Sequence, residues 1–324
     1  MPHRVIVSTG ARLHFGLLAH APQAKRQFGG VGLMVEHPGF QLSAEVCDDA
    51  TETDHYTGPD AWRQRVLDAV QRSRETPLPA VPKCQWILTT SIDQHVGLGS
   101  GTQLALAVAQ AYAALQGETS LGPTALAHRA GRGLRSALGI HGFQEGGLLV
   151  DGGKRSKEQI SPAVARVAWP TEWPLLLVRP RNACGLCGAA EINAFANLAP
   201  MSDAVSAQLC QLALLELLPA TLERDFEACS EALFQFGRLV GEYFAPAQGG
   251  TYSTPQTTSL VKHLRDQGIR GVGQSSWGPT AFVMCPTPQM AQQLRNDLLA
   301  GEWQDCEILC TTAKNAGAKV EISE

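Results

Sequence analysis

Two α+β domains, each a sheet covered by helices on one face, form the fold class this chain predicts. Three observations lead there. At 324 residues the chain exceeds one ordinary core, so two units of about 150 residues are expected. The first half alternates short strand patterns with helical ones. After Trp169-Pro170 and Trp173-Pro174 the alternation restarts with a strand, which sets a boundary near residue 170 and domains of 1–170 and 171–324.

In the first unit, runs rich in apolar and β-branched residues predict strands over 4–9, 13–17, 40–46, 85–90 and 147–151. Helices are predicted over 61–74, 102–116 and 124–130. The middle one rests on Leu104, Val108, Ala111, Tyr112 and Leu115 at helical spacing, with Gly117 where a C-cap belongs. In the second unit a strand over 175–179 precedes two long amphipathic helices, 202–218 and 221–244, and a shorter one over 256–267. A strand over 280–285, a helix over 288–300 and two closing strands complete the pattern.

Hydrophobic content of 44% and charged content of 17% describe an ordinary folded protein. Lys+Arg 26 against Asp+Glu 30 gives a net charge of -4, which argues against nucleic acid as a partner because phosphate-backbone binding needs a clustered cationic excess. No apolar run reaches the roughly 18 residues of a membrane span. Val5-Ile6-Val7 is too short for a signal peptide, so no membrane partner and a cytoplasmic location are expected. The 9 cysteines, scattered through apolar patterns (Cys210, Cys229, Cys285), read as reduced buried thiols. Cys184 and Cys187 have metal-ligand spacing but no second such pair, so no structural zinc is expected.

The strongest chemical signal is His95-Val96-Gly97-Leu98-Gly99-Ser100-Gly101-Thr102-Gln103, a glycine-rich turn aimed at a helix start. Its glycines let the backbone approach a ligand, and the following helix offers unpaired N–H groups and the positive end of its dipole. Ser100 and Thr102 add hydroxyls. A turn kept for packing alone is the alternative, and the spacing is neither the P-loop nor the dinucleotide fingerprint. A second segment, Gly271-Val272-Gly273-Gln274-Ser275-Ser276-Trp277-Gly278-Pro279-Thr280, holds a tryptophan of exposed type and is costly to order unless a ligand fills it. Arg12 and His14 alternate with Leu13 and Phe15, which puts both on one strand face, although His14 also fits a satisfied core histidine. Further on stand Arg129, Arg132 and Arg135, where anion binding competes with a solvated cationic face. Glu145-Gly146-Gly147 and Asp151-Gly152-Gly153-Lys154 follow, and for Asp151 a role in a site competes with capping an Asp-Gly turn.

Ser8-Thr9-Gly10-Ala11-Arg12-Leu13-His14-Phe15-Gly16-Leu17, Gly29-Gly30-Val31-Gly32-Leu33, the turn at 95–103, Asp151-Gly152-Gly153 and the segment at 271–280 occur in that order. In this order the motifs resemble the beta-ribofuranosylaminobenzene 5'-phosphate synthases, of the GHMP kinase superfamily (galactokinase, homoserine kinase, mevalonate kinase, phosphomevalonate kinase). The resemblance spans nearly the whole chain. The Gly-Leu-Gly-Ser turn is shared with all the kinases, whereas the central and C-terminal motifs are specific to the synthases. Asp93-Gln94-His95 and Ser100-Gly101-Thr102 depart from the proline and Ser-Ser-Ala of the kinases. Thr9-Gly10-Ala11-Arg12 replaces their Pro-Gly-Lys, exchanging a point charge for a guanidinium fork.

The resemblance implies a two-domain GHMP-kinase-like fold. It also implies an enzyme that joins 5-phosphoribosyl 1-diphosphate to 4-aminobenzoate, or 4-hydroxybenzoate, releasing carbon dioxide and diphosphate on the way to methanopterin. Mg²⁺ is implied by the diphosphate, with no nucleotide or organic cofactor. Arg12, His14 and Asp151 are then expected to be catalytic, and Gly97, Gly99, Ser100, Gly101, Thr102, Gln103, Arg132 and Arg135 to hold phosphate groups. Gln274, Ser275, Ser276 and Trp277 are expected to hold the aromatic acid, and Asp151 or Glu145 to ligate the metal. Partners are small molecules, with a homodimer left open. An ATP-dependent small-molecule kinase on the same fold and a catalytically silent ligand-binding relative stay as alternatives.

Overall fold

A computed structural model of the chain describes residues 2–21, 24–47, 53–75, 81–118, 120–156, 158–181, 183–186 and 188–323. β1 (Arg4–Leu17) is one strand where two were expected. Gly10, which reads as a break, is where the backbone of the neighbouring strand passes: a Cβ there would lie 2.0 Å from the Val35 carbonyl oxygen. Val5, Val7, Ala11, Leu13, Phe15 and Leu17 bury one face of β1, leaving Arg12 and His14 on the other. β2 (Gly30–Val46) starts ten residues earlier than expected, at the Gly29-Gly30 motif, and pairs with β1 along its length.

β3 (His55–Thr57) leads into α1 (Asp60–Arg74), and β4 (Cys84–Thr90) follows. Arg74 at the end of α1 grips Asp54 through Nε and Nη2 at 2.9 and 2.7 Å, while the Cys84 N–H donates to the same carboxylate at 2.9 Å, tying helix to sheet. α2 (Ser100–Leu115) is buried nearly all round and is the central helix of this half, packed on β1, β2 and α1. α3 (Pro123–Ala130), α4 (Leu138–Glu145), β5 (Leu148–Asp151) and β6 (Ala163–Val167) complete it. The sequence pattern missed α4, whose Gly139 and Gly142 weaken helical propensity.

β7 (Leu175–Pro180) opens a second sheet, and α5 (Gly188–Asn197), also unforeseen, follows it. α6 (Asp203–Gln211), a π-helical turn at Leu212–Leu217 and α7 (Leu218–Glu223) form one helical run. The wider π-helical turn keeps Leu209, Ala213, Leu217 and Thr221, four residues apart, on one buried face. Against expectation, this run, Asp203–Glu223, is long and apolar enough to cross a membrane by length and composition, with a mean hydropathy of 1.4. Here it packs against α8 (Phe226–Gln248) with its buried face and exposes Leu214, Leu215 and Leu222. α8, α9 (Pro255–Asp266) and, after β8 (Val272–Gln274) and β9 (Ala281–Met284), α10 (Pro288–Ala300) start from Asp225, Thr254 and Thr287, each accepting a backbone N–H bond as an N-cap. β10 (Cys306–Thr311) and β11 (Lys319–Ser323) close the chain.

The first sheet runs β11-β1-β2-β4-β3, with β5 also pairing β2 and β6 pairing β5, and the second runs β10-β7-β9-β8. β11 therefore returns to the first sheet, so residues 319–323, expected in the C-terminal domain, belong to the N-terminal one. α8 packs on both β1 and β8, and bridges the two halves.

Candidate active site

The two glycine-rich segments meet at the joint between the halves. Ser275 Oγ donates to the Gly97 carbonyl at 2.7 Å, Thr280 Oγ1 donates to the Val96 carbonyl at 2.6 Å, and the Ser276 N–H donates to the His14 carbonyl at 2.8 Å. Gly97 serves this packing, because a Cβ on it would lie 2.6 Å from the Ser275 carbonyl oxygen. Gly99 has a different task. It caps α2 in the left-handed region at φ 69°, and a Cβ there would lie 3.4 Å from Arg12 Nε. Ser100 and Gly101, the first residues of α2, keep N–H groups that the helix cannot pair.

Above this turn lies a cationic cavity of about 670 Å³, walled by Arg65 and Arg72 of α1, by His95, Gly99, Ser100 and Gly101, and by Asp68. A second cavity of about 210 Å³ lies between β1, α5 and α8, walled by Phe15, Phe195, Phe244, His14, Gln274 and Tyr252. Arg12, Thr102, Arg132, Arg135, Glu191, Ser276 and Trp277 line both, so the two spaces adjoin. The Trp277 ring packs 4.5 Å from Phe244 and 5.3 Å from Phe195.

Arg135 pairs with Glu191 at 2.7 Å and lies over the Phe195 ring, and Arg65 contacts His95 Nε2 at 3.0 Å. Arg12 and Arg132 differ: each keeps a buried Nε with no hydrogen-bond partner among the described residues. Burial draws the Arg12 guanidinium down to about 10 against the pull of Glu191 and Asp151, so it stays a cation at neutral pH. Burial, then Arg72 and Arg65, also lowers Arg132. Burial, then Arg12 and Arg135, holds His14 well below the usual histidine range, so the imidazole is neutral at pH 7. A buried guanidinium N–H left unpaired is costly unless an acceptor arrives. The arrangement thus suits a polyanion on the cationic side and a flat ring on the other.

Of the expected site residues, the joint gathers Arg12, His14, Gly99, Ser100, Gly101, Thr102, Arg132, Arg135, Gln274, Ser276 and Trp277. Trp277, expected as an exposed type, is only 5% exposed, because the aromatic side chains of α5 and α8 cover it. Gly97 lines the cationic cavity as well as packing on Ser275, whereas three residues, Gln103, Ser275 and Asp151, belong to the framework instead. Gln103 is buried between Thr9 Oγ1 and the Gly139 carbonyl, both at 2.8 Å. Ser275 spends its hydroxyl on Gly97 and on the His14 N–H. Asp151 accepts from Ser136 Oγ, the Ala137 N–H, the Gly153 N–H and Ser161 Oγ, which fills its acceptor positions and leaves none for a metal. Glu145 is exposed at the end of α4, outside both cavities and separated from Asp151 by β5, roughly 10 Å of strand. Arg129 pairs with Glu118, away from the site. Cys184 is exposed, and Cys187 lies outside the described residues.

Sequence reasoning missed Arg65, Arg72, Glu191 and Phe195. The seven-residue spacing of Arg65 and Arg72, two helical turns, was the available signal for the first two. The others sit on the unforeseen α5.

A family model described as GHMP kinases N terminal domain matches residues 63–145. The beta-ribofuranosylphenol 5'-phosphate synthase of Archaeoglobus fulgidus is 30% identical over 328 residues, covering 97% of this chain and 98% of that protein. The chain belongs to the beta-ribofuranosylphenol 5'-phosphate synthase family. The Methanothermobacter thermautotrophicus synthase is 29% identical over 294 residues, 86% of this chain and 88% of that one. Homoserine kinase from Cytophaga hutchinsonii superposes with a TM-score of 0.67 at 17% identity over 99% and 98% of the two chains. Mevalonate diphosphate decarboxylase from Enterococcus faecalis superposes at 0.68 with 14% identity over 100% of each. The synthase family thus carries the two-domain GHMP kinase fold, with the joint where its motifs converge.

Proposed function

We propose that this chain transfers phosphoribose from 5-phosphoribosyl 1-diphosphate to the ring carbon of a 4-substituted benzoate, releasing diphosphate and carbon dioxide and serving methanopterin synthesis. The observation that carries this reading is a pair of half-buried arginines, Arg12 and Arg132, each with a buried Nε that has no hydrogen-bond partner among the described residues, in the walls shared by a cationic cavity and an aromatic one. The product in the relatives' name is a phenol, which 4-hydroxybenzoate gives and 4-aminobenzoate does not.

Diphosphate departure takes the bonding electron pair, leaving positive charge on the ribose and one more unit of negative charge on the leaving group. Arg12, Arg132, Arg65 and Arg72, with the N–H groups of Ser100 and Gly101, meet that charge. The diphosphate substrate implies Mg²⁺. No group of three or more His, Cys, Asp or Glu side chains is placed to hold a metal among the described residues, whereas Glu191 and Asp68 stand in the cavity wall. One or two carboxylates beside substrate oxygens suit Mg²⁺, whose charge would help neutralise the diphosphate. The ring lies against Trp277, Phe195 and Phe244, beside the neutral His14.

The test supplies purified protein with phosphoribosyl diphosphate, Mg²⁺ and carboxyl-labelled 4-hydroxybenzoate or 4-aminobenzoate. Labelled carbon dioxide and free diphosphate are expected in equal amounts, faster with the phenol. No labelled gas from either acid, or metabolite-dependent ATP consumption, would overturn the reading.

A further inference from the structure

We infer that position 237 sets the size of the aromatic acid the enzyme accepts, with Gly237 holding open the space for the ring. This rests on the reading that the cavity between β1, α5 and α8 receives the acceptor. α8 presents Gly237, Val240, Gly241, Phe244 and Gln248 to that cavity at helical spacing. Two of these are glycines inside a helix of 23 residues, where glycine is the least favourable residue after proline.

Gly241 has a packing reason, since a Cβ there would lie 2.3 Å from the Thr251 carbonyl oxygen. Gly237 has none. A Cβ on it would meet nothing within 4 Å, and its φ is not in the left-handed region. Gly117, Gly188, Gly249 and Gly268 also have open space but positive φ, which itself calls for glycine, and Gly122 is the N-cap of α3 rather than a helix-interior residue. At Gly237 neither the backbone nor a neighbour excludes alanine, and Gly237 lines the cavity that Phe195, Phe244 and Trp277 also wall. The helix gives up propensity there for room that only a ligand uses.

Gly237→Ala and Gly237→Val are compared with the wild type by steady-state kinetics, thermal melting, and calorimetric titration with 4-hydroxybenzoate. One methyl group added where a ring must sit discriminates by roughly tenfold or more, so KM for the acid should rise roughly tenfold in the alanine variant and further in the valine variant. KM for phosphoribosyl diphosphate should stay within about twofold of the wild type, and the alanine variant should melt no lower, because alanine favours the helix. The acid affinity measured by calorimetry should fall in the same order. Unchanged acid KM and affinity in both variants, or equal losses for both substrates, would overturn the proposal. A wild type without turnover defeats the functional reading separately. Position 237 is then judged by calorimetry alone, where weaker acid binding in the variants supports it, and equal binding or none by the wild type overturns it.

Discussion

Replacing Arg12 with glutamine removes a charge that the free protein holds at a cost. Its Nε is buried without a partner, and burial draws the group to about 10. Two opposite unit charges about 4 Å apart at an effective dielectric of about 20 attract by about 4 kcal/mol. If Arg12 meets the departing diphosphate at that range, Arg12→Gln should lower kcat/KM by about 10³-fold. The same change relieves a desolvated cation, so the melting temperature should hold or rise, a separation that a structural arginine would not show. The rate of labelled carbon dioxide release gives kcat/KM, and a thermal melt gives stability. In the wild type, activity should also fall as pH rises past about 10, where Arg12 loses its proton. A variant that keeps kcat/KM within about tenfold, or that loses activity only in step with its melting temperature, would refute the assignment.

His14 is neutral throughout the working range, so the pH–rate profile should show no His14 ionisation near 6.5; a limb there that vanishes in His14→Asn would contradict this. Because its folded value lies below the unfolded one, His14 should instead cost stability as pH falls below 6.5, seen as an acid-side loss of melting temperature that His14→Asn reduces. Gly99→Val should cost roughly 1–2 kcal/mol of backbone strain and weaken phosphoribosyl diphosphate binding by crowding Arg12, which a folded variant with normal affinity would disprove. Asp151→Asn should destabilise by roughly 1–3 kcal/mol, since an amide turns a donor toward donors, while Mg²⁺ dependence stays unchanged; an altered Mg²⁺ requirement would restore Asp151 as a ligand. Burial raises Asp54, but Arg74, the Cys84 N–H and Trp86 outweigh it and hold the carboxyl below 3.8, so its stabilisation is present above that pH and lost as pH falls below it. Asp54→Asn should cost about 3 kcal/mol in urea unfolding at pH 7 and flatten that acid loss, without changing KM.

What was legible in the sequence follows the range of each signal. The turn at 95–103 and α2 are local, written in glycines and a helical period, and the structure keeps them. Arg12 and His14 were placed by the two-residue period of a strand and do line one cavity. The long-range partners were not legible. Nothing near Asp151 in sequence says that Ser136, Ala137 and Ser161 will fill its oxygens, and a carboxylate before two glycines reads equally as ligand or cap. Gln103 and Ser275 look like ligand contacts because they stand in glycine-rich segments, yet those segments bind each other before they bind anything else. Glu191 and Phe195 were lost with α5, a short helix whose pattern lacked a strong start signal.

The division of charge at the joint also bears on which bond the arginines serve. On the proposed reaction the acceptor carboxylate leaves as a neutral gas, so a cation gripping it would stabilise the ground state more than the transition state and slow the step. Charge grows instead on the departing diphosphate. Arg65 and Arg72 lie wholly on that side, Arg12 and Arg132 stand in the shared wall, and Arg135 is already spent on Glu191. Beyond the shared wall the aromatic side offers Phe195, Phe244 and a neutral imidazole, so a carboxylate turned away from Arg12 and Arg132 gains little there and carbon dioxide is free to depart. Because loss of that gas restores the aromatic ring, no group is needed to take a proton from the ring carbon. Catalysis then reduces to orienting two substrates across one joint and neutralising a leaving group, which is what a glycine turn, a helix start and arginines with unpaired N–H groups in the wall of an aromatic slot are built to do.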